Sequence, residues 1–175
     1  MKDKLYLTHY YYPGTIPLGN LLLLPKNEAF SAAKALADAH PDTQIFFRFA
    51  DFENYYALRM AADAYVREKF LALGGKPALA HPYSFVLFES DYLKEWFGAE
   101  YAVRIALDEI PEDQISFTLG DSCSRLDRFG EVVVWDKARL YADIEAFSGD
   151  LAAYAAHILD TCRYIEAQVW CEVSK

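Results

Sequence analysis

The chain lacks any long apolar run. Leu21 to Leu24, the longest near its start, is stopped by Pro25, whereas a membrane-spanning helix needs about 20 apolar residues in succession. Residues 1–8 also lack the apolar centre of a signal peptide. These two absences predict no membrane span and a place in the cytoplasm. Cysteine is scarce. Cys123, Cys162 and Cys171 form an odd set without a Cys-x-x-Cys pair, unlike the even frameworks of small secreted domains. Cys162 falls in a helical pattern and Cys171 in a strand pattern, so both are expected as buried free thiols. His9, His40, His81 and His157 show no His-Glu-x-x-His or paired-cysteine spacing, and no metal site is expected. Neither Gly-x-Gly-x-x-Gly nor a Gly-Lys-Ser/Thr phosphate loop occurs, which removes two common phosphate cradles.

Positive charge is also in short supply. The 17 Lys and Arg are outnumbered by 26 Asp and Glu, a formal charge of -9. Such a surface repels phosphate backbones and anionic lipid, which argues against general nucleic-acid and membrane binding while leaving room for a local basic cleft. The acids are scattered and form no tail. Apolar residues, by contrast, are plentiful at 54%, with 13 Tyr and 12 Phe, so 175 residues can fill one core without metals or disulfides. No repeat, low-complexity stretch or linker divides residues 1–175, and a single globular domain is predicted.

Periodicity places the elements. Leu5 to Tyr10 alternates as a first strand, and Pro13-Gly14 and Pro17 break the chain after it. Asn27 is read as the cap of a helix reaching His40. Gln44 to Phe49, aromatic and β-branched, reads as a second strand. Asp51 starts the longest helix, which ends near Leu73 before Gly74-Gly75. Its apolar stripe contains Arg59 and Asp63 one turn apart, a spacing that predicts an ion pair. Further strands are expected at Ser84–Glu89, Tyr101–Leu107, Ile115–Leu119, Glu131–Trp135 and Tyr164–Val173. Helices are expected at Asp91–Phe97, after Asp136, and up to Arg163. The fold class is therefore α+β, with a mixed, largely antiparallel sheet and about five helices.

Three constellations could carry function. Phe117 to Cys123 places Gly120-Asp121-Ser122 after a strand, which resembles the nucleophile block of the GDSL hydrolases and would make Ser122 catalytic. That family's late Asp-x-x-His is missing, since Tyr154 stands three residues before His157. A turn held by Asp121 or Ser122 is the alternative. Second, His9 lies on the first strand and Glu166 on the last, where an acid is disfavoured by strand propensity. Arg48, Tyr55 and Tyr56 lie between them. In order and residue type this resembles the ADP-ribosyltransferase fold. That resemblance implies NAD as cofactor, His9 holding its ribose, Tyr55 or Tyr56 beside nicotinamide, Arg48 nearby, and Glu166 supporting an oxocarbenium-like transition state. The family's second-strand aromatic-x-Ser is not found in Gln44 to Phe49, and Tyr164 replaces the first acid of a Glu-x-Glu pair. The plainer alternatives are a backbone-bonded His9 and a Glu166 facing solvent from an edge strand. Third, Tyr10, Tyr11 and Tyr12 together with the acidic surface would suit a non-enzymatic interaction or inhibitor protein, of the kind that mobile elements make, with a protein partner. The whole chain also resembles small bacterial proteins, which adds a bacterial setting.

Overall fold

Alternation along a strand sends successive side chains to opposite faces, and the residues that alternate in this way form the sheet. The computed structural model describes residues 5–11, 15–42, 46–97 and 102–173. Six strands are β1 (Tyr6–Tyr10), β2 (Tyr83–Leu87), β3 (Ala102–Ala106), β4 (Ile115–Leu119), β5 (Val134–Trp135) and β6 (Ile165–Val169). The helices are α1 (Lys26–Ala39), α2 (Phe52–Ala72), α3 (Asp91–Phe97), α4 (Ser122–Phe129), α5 (Lys137–Ala146) and α6 (Leu151–Cys162). The strands make one sheet in the order β3-β1-β2-β6-β4-β5, and every pairing is antiparallel. This is the expected α+β domain, with no parallel pair among the described residues and with one helix more than expected. No helix among them is long and apolar enough to cross a membrane.

The register sorts side chains onto two faces. Leu7, Phe85, Leu87, Ile115, Phe117, Ile165, Ala167 and Val169 form the main core with Leu140 and Ile144 of α5 and Tyr154 and Ile158 of α6. The other face carries Thr8, Ser84, Ser116, Thr118, Glu166 and Gln168, because Thr8 pairs with Val86, and Glu166 with both Val86 and Thr118. Here α2 packs Val66 and Phe70 on Trp170 and Val132, and α3 packs Leu93 and Phe97 near Tyr10, Val86 and Tyr164. Helix α1 leans on α2 through Ala29, Ala33 and Phe52.

Two stretches differ from the sequence reading. Phe47–Phe49 is a 3-10 turn, not a strand; residues 44 and 45 lie outside the described residues. Phe49 packs on Phe46 and on Phe52, and Phe47 meets Trp96, so aromatic content there serves ring clusters and finds no strand partner among the described residues. Gly120-Asp121-Ser122 opens helix α4, with Asp121 capping it through Ser124 N at 2.5 Å. Helix α1 begins at Lys26, after Pro25, so Asn27 is not its cap. The three cysteines are free; Cys123 is the buried one, whereas Cys162 and Cys171 are only half-buried.

Candidate active site

Strand β6 was threaded last in the chain yet lies between β2 and β4, so Glu166 sits within the sheet and not on an edge. It is 2% exposed. An ionised carboxylate in such a place needs donors. The Ser84 hydroxyl donates to Oε1 at 3.0 Å, and the backbone N–H of Ser122, in the first turn of α4, donates to Oε2 at 2.7 Å. The Thr118 hydroxyl lies 3.4 Å from Oε2, with the Gly120 carbonyl at 3.0 Å competing for its single proton. Gly120 has φ 79, the left-handed backbone that turns the chain from β4 into α4 and delivers the Ser122 N–H. Burial pushes the Glu166 carboxyl above its ordinary range, Asp121 adds to this, and Arg59 and Ser122 pull it back.

Arg59 and Asp63 pair at 3.3 Å on the inner stripe of α2, as their spacing predicts. Asp63 is 3% exposed and takes a second partner, His81 Nδ1 at 2.8 Å. Burial opposes the Arg59 charge, but Asp63, Tyr55, Glu166 and Asp121 more than offset it and hold the guanidinium charged. Tyr55 belongs to the same neighbourhood. Burial raises its hydroxyl pKa, and the charges of Arg59, Asp121 and Arg48 act on it. The Arg48 guanidinium lies 5.6 Å from the Tyr55 ring centre. Cys123, buried beside them, is pushed up to about 11 by burial, so it stays a thiol at neutral pH.

Of the residues singled out from the sequence, Glu166, Tyr55 and Arg48 therefore share one electrostatic neighbourhood. His9 and Tyr56 do not join it. His9 follows Thr8 in β1 and so points to the opposite face from Glu166, with its ring 5.4 Å from Phe85. Its Nδ1 donates to the Ser84 carbonyl at 2.8 Å, and its Nε2 accepts from Leu18 N at 3.3 Å. That is a neutral imidazole tying a loop to β2, and burial lowers its pKa accordingly. Tyr56 packs with Phe30 and Phe52 under α1.

The other constellations fare as follows. Ser122 is buried. The one later histidine, His157, lines a cavity of about 380 Å³ with Asp143, Tyr154 and Ile158, and Ser122 is not among its walls. Tyr10 is core, its hydroxyl accepting from Ser90 N at 3.0 Å; Tyr11 is half-buried, and Tyr12 lies outside the described residues. No group of three or more His, Cys, Asp or Glu among the described residues is placed to hold a metal.

Sequence reading missed Ser84, Asp63 with His81, and the Ser122 N–H. Ser84 was hidden by the miscounted strand at Gln44–Phe49: the true second strand, Tyr83-Ser84-Phe85, does carry a hydroxyl, and it meets Glu166. No protein-family model matches the chain, and neither a curated protein nor a solved structure matches it.

Proposed function

We propose that the protein cleaves the nicotinamide–ribose bond of NAD and passes ADP-ribose to an acceptor, in the manner of the ADP-ribosyltransferases. The observation that carries this reading is the hydrogen bond from the exposed Ser84 hydroxyl to the buried Glu166 carboxylate. It couples a group that a ligand can reach to an acid fixed within the sheet. When the C1′–N bond breaks, its electron pair leaves with nicotinamide and positive charge develops on the ribose. A preorganised carboxylate stabilises that charge. The acceptor, or water, then bonds to C1′, and its proton passes through the Ser84 hydroxyl to the Glu166 carboxylate. Tyr55 is the ring available to nicotinamide and Arg48 the cation available to the diphosphate. His9 acts at one remove, by fixing the 15–20 loop against β2.

Incubation with NAD, followed by chromatography of released nicotinamide, tests the reading. Glu166→Gln is expected to lower turnover by at least about a hundredfold and Ser84→Ala by about tenfold. A parent protein that releases no nicotinamide, or a Glu166→Gln variant that turns over like it, would sink the proposal.

A further inference from the structure

Beside the Glu166 neighbourhood runs a row of rings that this chemistry does not use. Tyr164, on the same face of β6 as Glu166, stacks with Tyr92 of α3 at 6.4 Å and 20°. Tyr92 stacks with Trp96, one turn on, at 6.4 Å and 26°, and Trp96 meets Phe47 edge-on at 6.1 Å. The inner end is buried, but Tyr92 is 38% and Phe47 54% exposed. Exposed large aromatics in line are uncommon where they serve only a core. Two cations flank the row. The Arg163 guanidinium lies 4.6 Å from the Tyr92 ring centre and the Arg48 guanidinium 5.5 Å from that of Phe47. Neither arginine makes an ion pair among the described residues, although acids outnumber bases in this chain by 26 to 17. Arg163 also has φ 67, a backbone state unfavourable for a side chain of its kind, and that state turns the chain from α6 into β6 where Arg163 meets Tyr92.

From this row we infer a binding site for a free nucleotide, with the base against Tyr92 and half-buried Trp96 and the phosphate paired with Arg163. Flat rings open to solvent in part select a planar heteroaromatic base without regard to its edge pattern, and the Arg163 guanidinium selects its phosphate. The occupant is one nucleotide and not a strand, because a polynucleotide running off the row would meet a surface of net negative charge. The site stands whether or not Glu166 acts on NAD.

Trp96 supplies the test, with AMP as probe. AMP should quench tryptophan emission saturably, and ribose 5-phosphate, which has no base, should not. Trp96→Phe should abolish the quench while calorimetry still detects binding, and Tyr92→Ala should weaken the affinity roughly tenfold. Arg163→Gln should weaken AMP and leave adenosine unchanged. Glu166→Gln should keep the quench, which separates this site from the proposed reaction. Absence of saturation at several millimolar AMP, or equal quenching by ribose 5-phosphate, would overturn the inference. So would a short oligodeoxyadenylate that binds far more tightly than AMP with a steep salt dependence.

Discussion

Glu166 loses its water when β6 pairs on both sides, and the loss is written into its titration. Its pKa in the fold lies above the ordinary value of 4.5, with burial the main cause. Above the pKa of the unfolded chain, the folded protein therefore holds a proton that the unfolded one has released. Stability then falls as pH rises through that window, and the loss is complete once the folded-state pKa is passed. Glu166→Gln removes the titration while keeping the shape. The stability difference between variant and parent, measured by thermal unfolding across pH, should grow in the variant's favour from about pH 4.5 upward and then level off. A difference flat with pH would mean that Glu166 titrates alike in both states.

At the scale of elements, the end of α2 gives the sharpest mechanical prediction. Gly74, with φ 94, turns the chain away, and Gly75 follows with its N–H on the Phe70 carbonyl at 3.0 Å. A Cβ at Gly75 would lie 2.5 Å from the Phe70 ring, and that ring is itself stacked on buried Trp170. Gly75→Ala should cost about 1–3 kcal/mol by displacing Phe70, read as a lower urea midpoint at unchanged slope. Lys76→Ala next door should stay within about 0.5 kcal/mol. A Gly75→Ala protein as stable as the parent would exclude this clash.

The same helix illustrates what could be read beforehand. The stop at Gly74-Gly75, the pairing of Arg59 with Asp63, the bounds of α3 and β4, and the alternation of β6 all follow from spacing along a single segment. The segment at Phe47 was misjudged because propensity cannot tell a strand from a knot of rings when no partner is in view. Helix α4 was missed although Asp121 and Gly130 flank it as cap and stop, because so short a helix has little periodicity to display. The candidate site depends on strand order. Whether His9 and Glu166 share a face is decided by pairing through β2, and Ser84, which joins the site, became meaningful only after β2 was known to lie beside β6.

Over the whole molecule, one sheet receives helices on both faces, and Phe117, Phe85 and Trp170 are fully buried against it. The sheet joins the clusters packed on its two faces, so urea should unfold the protein in a single transition. Far-UV circular dichroism follows the helices, while tryptophan emission reports Trp96, Trp135 and Trp170. The two curves should superimpose, and two separated midpoints would reveal a divisible fold.

Side chains of β4 and β6 are also stitched to each other. Trp170 Nε1 donates to Ser116 Oγ, Ser116 donates to Gln168, and Gln168 donates to Thr118. Pairing of β4 with β6 one residue out of step would turn Glu166 and Gln168 toward the face where Leu140 and Ile158 pack, away from Ser84, Ser116 and Thr118. Such a mispairing leaves buried polar groups without partners, which costs stability. The polar seam between β4 and β6 would serve, during folding, as the key that admits only one alignment.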